Sequence, residues 1–179
     1  STAAYDRKLS DDWALLGRNL YLHAENKDPN STNGNQTQDR AQIGLAYRDT
    51  QTNKFHGLAR LERRIDKSTN VADLRDEKTW ITSLHGNYKP NRAWTYSGQL
   101  GFKDGAGVVT NNNSLDTFIG GLVSARAIWD FAERYDASLY GSQEQARTTN
   151  LSTTRVTGLG SELGYRVMDN LWLSGGYTL

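Results

Sequence analysis

Cysteine is absent from the 179 residues, so no disulfide, thiolate metal site or thiol nucleophile enters the reading. Proline is almost absent as well. Pro29 and Pro90 both fall in segments that read as connections, as they must if the rest is strand, where a missing N–H breaks the ladder. An excess of one charge sign is also lacking: 21 basic and 20 acidic residues leave a formal +1. That balance removes the basic surface on which nucleic-acid binding depends, and nucleic acid is not an expected partner. Mean hydropathy is −0.72, and no apolar run approaches the roughly 18 residues of a membrane helix. A membrane helix is thereby excluded, but a membrane barrel is not. Its wall alternates lipid-facing and polar residues, so average hydropathy stays low. No signal peptide opens the chain, which for an outer-membrane protein reads as a mature form or an excised piece.

What the chain does contain is a repeat. Tyr5, Tyr47, Tyr88, Trp129 and Tyr165 recur at intervals of about 41 residues, the last somewhat shorter. Each precedes a short polar stretch and then a second large apolar residue, giving Tyr5/Trp13, Tyr47/Phe55, Tyr88/Trp94, Trp129/Tyr135 and Tyr165/Leu171. Such units read as tight hairpins flanked by aromatics. Between them lie stretches rich in Asn, Thr, Ser, Asp and Gly, at 25–38, 66–78, 104–114 and 145–153, which read as long loops. Short turns alternating with long loops is the asymmetry of outer-membrane barrels, with turns periplasmic and loops extracellular. The expected strands are 1–5, 13–24, 39–48, 54–65, 79–88, 93–103, 116–129, 135–144, 154–167 and 171–179.

Reading alternate residues separates two faces. One carries Ile43, Leu45, Leu61, Leu84, Leu100, Phe102, Ile119, Val123, Leu139, Leu159, Leu163 and Leu173, with Gly interspersed and no charge. Its strand ends hold Tyr5, Trp13, Tyr47, Phe55, Tyr88, Trp94, Trp129, Tyr135 and Tyr165, which form the expected aromatic girdle. The other face carries Arg48, His56, Arg60, Glu62, Arg64, His85, Lys103, Arg126, Asp136, Glu144, Glu162 and Arg166. These read as lumen-lining. A charge facing mid-bilayer costs about 2 to 4 kcal/mol, so lipid enforces such a segregation, whereas a soluble sandwich displays its charged face and hides large aliphatics. A β-propeller shares the period, but each of its blades needs four short strands where this chain offers two long ones. The segment 13–24 breaks parity, because Trp13, Leu15 and Gly17 alternate with one phase and Leu20, Leu22 and Ala24 with the other. A β-bulge near Arg18 and Asn19 would reconcile them.

The expectation is therefore an all-β protein with one domain over 1–179, a transmembrane antiparallel up-and-down β-barrel. About ten strands are expected, read as cut at both ends from a barrel of about twelve. Segments 163–177 (LGYRVMDNLWLSGGY), 43–50 (IGLAYRDT) and 9–19 (LSDDWALLGRN) resemble the C-terminal barrel of large, repeat-bearing proteobacterial surface proteins. That resemblance implies an outer-membrane anchor or export domain with an attached extracellular repeat region. Members of the family usually end in an aromatic-terminated strand, whereas this chain ends at Leu179.

Several chemistries compete with this structural reading. Ser83, His85 and Asn87 share one face and match the residue types of outer-membrane phospholipases, but parity turns them toward the lumen and not toward lipid. Loop aspartates Asp66, Asp73, Asp76 and Asp104 match the types used by omptin-like proteases, yet no histidine accompanies them. His56 and His85 fall on neighbouring strands and both face inward, with Glu62 on the His56 strand, and a metal site there would need a third ligand at matching height. Arg60 and Arg126 would suit an anion-preferring channel, or they would pair with Glu62, Glu144 and Glu162 and plug a narrow interior. Arg63 and Arg155 break the apolar parity near the outer strand ends, where lipopolysaccharide phosphates would lie. No enzyme activity, metal or cofactor is expected, and the expected partners are outer-membrane lipid and lipopolysaccharide.

Overall fold

The computed structural model describes residues 1–25, 34–70, 73–108, 115–149 and 153–179. Ten strands follow one another: β1 Thr2–Lys8, β2 Trp13–Ala24, β3 Gln36–Arg48, β4 Phe55–Asn70, β5 Asp73–Tyr88, β6 Trp94–Val108, β7 Leu115–Phe131, β8 Tyr135–Thr148, β9 Thr154–Met168 and β10 Leu171–Thr178. Each pairs antiparallel with its sequence neighbours in a single sheet ordered β1 to β10, and no helix occurs among the described residues. The sheet is open: no Cα of β1 comes within 8 Å of any in β10.

The hairpins at the girdle end are tight because their turns carry their own hydrogen bonds. Asp12 Oδ1 accepts from the Thr50 amide at 2.9 Å and its hydroxyl at 2.6 Å, lashing the first turn to the second. Asp49 accepts from the Thr52 hydroxyl and from the amides of Gln51 and Thr52 at 3.2 and 2.9 Å. Asn53 takes a positive φ of 53° in the same turn, a conformation asparagine tolerates. Beyond Pro90, Asn91 Oδ1 accepts from the amides of Ala93 and Trp94 at 2.9 and 3.0 Å, an Asx turn that starts β6.

At the other end the expected long loops are shorter than their polar composition suggested. β4 runs on to Asn70 and β5 begins at Asp73, so most of 66–78 is strand. β6 and β8 likewise extend to Val108 and Thr148. The cause is cross-strand pairing of polar side chains. Lys67 lies opposite Asp76 and meets it at 3.7 Å, while Gln38 of β3 donates to Asp66 of β4 at 2.7 Å. The remainder of the expected loops, 26–33, 71–72, 109–114 and 150–152, lies outside the described residues, Pro29 with it.

The expected bulge in β2 does not form. β2 pairs with β3 in unbroken register from Trp13↔Tyr47 to Ala24↔Gln36, and with β1 from Thr2↔Leu20 to Lys8↔Ala14. A continuous ladder satisfies more backbone groups than a bulge would. Leu16, Leu20 and Leu22 consequently share a face with Arg18, and Asn19 and Tyr21 take the other. A register shift occurs instead between Leu171 and Trp172 of β10.

The protein has no buried hydrophobic residue among those described. What it buries is polar: Glu62 at 5%, Thr79 at 1%, Ser83 at 6% and Ser138 of relative exposure 5%. Leu84, Leu100 and Leu163 are 50%, 51% and 64% exposed. This inverts the usual sorting, in which aliphatics are the most buried residues and charged ones almost never fully buried.

Candidate functional site: an apolar outer face and a charged inner face

The register fixes which side chains share a face. One apolar row runs Leu15–Leu45–Ala59–Leu84–Leu100–Val123 across β2 to β7. A neighbouring row of the opposite phase runs Gly44–Arg60–Ser83–Gly101–Leu122–Glu144 across β3 to β8. We call the first face outer and the second inner, because side chains converge on the second. Arg126 of β7 donates across β8 to Glu162 of β9 at 3.2 Å. Tyr140 of β8 likewise bonds over β9 to Thr178 of β10. A cavity of about 360 Å³ is lined on this side by residues of the five strands β4 to β8, among them Arg60, Ser83, Lys103, Phe118 and Glu144. A sheet brings five of its strands around one space only by curling toward it.

All of Arg48, His56, Arg60, Glu62, Arg64, His85, Lys103, Arg126, Asp136, Glu144, Glu162 and Arg166 lie on the inner face. Their pairing is partial. Glu62 accepts from the Gln42 amide at 2.8 Å and stands 3.9 Å from Arg64 Nε. Lys103 stands 3.9 Å from Glu77 and 4.4 Å from the centre of the Phe118 ring. Arg126 adds a bond of 3.1 Å to Ser138, and Arg166 turns to Asp169 of the last turn at 2.9 Å. The face is not wholly polar, since Leu16, Leu20, Leu22, Leu58, Ile81, Phe118 and Ile128 share it. The parity break in 13–24 was the signal for Leu20 and Leu22; nothing in the sequence marked Leu16.

The aromatic residues meet at the tight-turn edge of the outer face. Trp13 packs at a tilt against Tyr47 with 4.8 Å between ring centres, and Tyr47 likewise against Phe55 at 5.8 Å. Phe55 lies opposite Tyr88, which faces Tyr96 at 6.5 Å. The chain continues through Trp94, Trp129, Phe131, Tyr135 and Tyr165. Tyr96 and Phe131 join the girdle beside the expected members. Phe131 follows Trp129 by two residues, a same-face spacing that could have marked it. Tyr5 stands apart on the outer face, opposite Gly17 and beyond the ring contacts. Charge enters the outer face at Arg7 of edge strand β1 and toward the far strand ends, where Asp39, Arg63, Lys67, Lys78, Asp104, Arg147 and Arg155 lie.

The enzyme-like sets do not assemble. Ser83 Oγ is buried without a hydrogen-bond partner, so His85 does not activate it. His56 lies opposite Asn87 and His85 opposite Leu58, which places the two imidazoles diagonally on adjacent strands. Asp66, Asp76 and Asp104 sit in strands and not in loops, Asp66 on the inner face and the other two on the outer, while the Asp73 side chain is outside the described residues. Comparison with protein-family models and with curated proteins finds no match to the chain.

Proposed function

We propose that this chain spans a bacterial outer membrane as part of a closed β-barrel and anchors a larger surface protein there. The observation that carries the reading is the inversion of burial. Leu45, Leu84, Leu100 and Leu163 along the uncharged middle of the outer face are exposed, from 37% for Leu45 to 64% for Leu163, while glutamate, serine and threonine are the covered residues. Water penalises such a face and hydrocarbon does not. Strands such as β4 and β5, 16 residues each, exceed the roughly 9 to 11 that cross a bilayer. The aromatic chain marks one interface and the charged strand ends mark the other. The tight turns are then periplasmic and the far strand ends extracellular, among lipopolysaccharide phosphates.

In lipid the free edges of β1 and β10 must be paired, because unsatisfied backbone groups are costly there. The two edges run antiparallel, so an even number of further strands closes the wall, two in the simplest case, giving twelve. The test is to purify and refold the chain with and without detergent and to measure Trp quenching by brominated lipid. Folding that requires detergent or vesicles, with strong quenching, is expected. A monodisperse, fully folded protein in plain buffer defeats the reading.

A second reading, a small channel, is favoured by the charged inner face around Arg60 and Arg126. Steady conductance in planar bilayers that changes on Arg126→Ala would establish it over a silent anchor.

A further inference from the structure

The inner face holds more basic groups than it pairs. Among the described side chains of β2 to β6 it carries Arg18, Arg40, Arg48, Arg60, Arg64 and Lys103 against Glu62, Asp66 and Glu77. The three carboxylates are already engaged: Glu62 by Gln42 and Arg64, Asp66 by Gln38 and Arg64, and Glu77 by Thr79 and Lys103. Arg60 is left without a hydrogen bond or ion pair, and its Nε is shut off from solvent. Directly opposite it on β5 is Ser83, 6% exposed, whose hydroxyl is likewise buried and unpartnered. On the same row the pair is flanked by Gly44 and Gly101, so the positions directly beside them on β3 and β6 carry no side chain. The space beside them is the cavity of about 360 Å³, into which Gln99 and Lys103 also face.

Buried polar groups are rarely left unsatisfied, because each such group costs about 1 to 3 kcal/mol. An orphaned guanidinium Nε–H beside an orphaned hydroxyl, with a second cation and an amide, gathers two positive charges and two further groups able to donate. From this we infer that Arg60 and Ser83, with Gln99 and Lys103, form a binding site for a small oxyanion, a phosphate or a carboxylate. The guanidinium offers two parallel N–H donors to two oxygens of the anion, the geometry that makes such contacts strong. The Ser83 hydroxyl completes the coordination, and Lys103 adds charge at longer range. Glu144 lines the far wall of the same cavity, where its carboxylate opposes an anion and limits affinity.

The inference depends only on the inner face and stands whichever solvent meets the outer one. Its test is equilibrium titration of the refolded chain in detergent micelles with inorganic phosphate and, separately, acetate. Heat release would be followed, with far-ultraviolet circular dichroism as the check on folding. Saturable binding of at least one anion is expected, weakened about tenfold by Arg60→Gln as a charge-assisted bond is lost. Arg60→Lys, which keeps the charge and loses the planar fork, is expected to recover only part of it. Glu144→Gln should tighten binding, and Arg166→Gln, remote and paired with Asp169, should leave it unchanged. The tighter of the two anions identifies the ligand type. Absence of saturable binding to both, or equal affinity in Arg60→Gln and Arg166→Gln, overturns the site. Folding without detergent, by contrast, would defeat the membrane reading and leave this one intact.

Discussion

Glycine on the inner face of this sheet makes room for a large neighbour. A Cβ on Gly105 would collide with the Phe118 ring, and one on Gly164 with the Asp136 carboxylate. Gly105→Val should therefore expel Phe118 from its place under Lys103 and cost about 1 to 3 kcal/mol by overpacking, read from urea unfolding in vesicles. On the outer face the reverse test applies: Leu100→Arg should cost about 2 to 4 kcal/mol if that position meets mid-bilayer hydrocarbon, and almost nothing if it meets water. In the turns, the Thr50 hydroxyl and amide hold the Asp12 carboxyl below its ordinary 3.8, and Thr52 does the same for Asp49. A carboxyl depressed by folding contributes stability above its unfolded value, and that contribution is lost as pH falls through the folded one. Amide protection at Thr50 and Thr52 should accordingly persist at pH 5 and drop as the medium is acidified below about 3.8. Hydrogen exchange followed as the pH is lowered checks this, and protection lost already above 3.8 would contradict it.

Strand β2 is the element on which parity reasoning and structure part. Unbroken pairing sends Tyr21 outward and Leu22 inward. With single cysteines introduced at each position, a lipid-attached spin label should quench a fluorophore at 21 more than one at 22. Equal or reversed quenching would restore a bulge. Elsewhere the two faces were readable because a solvent boundary is a one-residue property: Leu45, Leu84 and Leu100 keep step with Arg60, Glu62 and Arg126 over every two residues. Strand ends were not readable for a different reason. Lys67 and Asp76 look like loop residues singly and become strand residues only through each other, and partnership between residues on two strands leaves no local trace. The candidate anion site was half legible. Arg60 and Ser83 could be assigned to one face, but the engagement of Glu62 by Gln42 and the glycines on either side emerge only from register.

At the scale of the whole molecule, the separation of β1 and β10 makes a simple statement. A disulfide requires Cα atoms within about 7 Å, and the two edges keep beyond 8 Å. The double variant Ala4→Cys/Ser174→Cys should stay reduced under mild oxidation, whereas ready cross-linking would mean that the ten strands close directly on one another. The order of the sheet has a kinetic corollary as well. Since every strand pairs its backbone only with its chain neighbours, assembly can proceed like a zipper, each hairpin templating the next at small loop-closure cost and low contact order. Proteolytic nicks within one connection should then leave the remaining hairpins able to re-anneal. Two fragments cut between β5 and β6 are the natural pair with which to watch the wall rebuild itself.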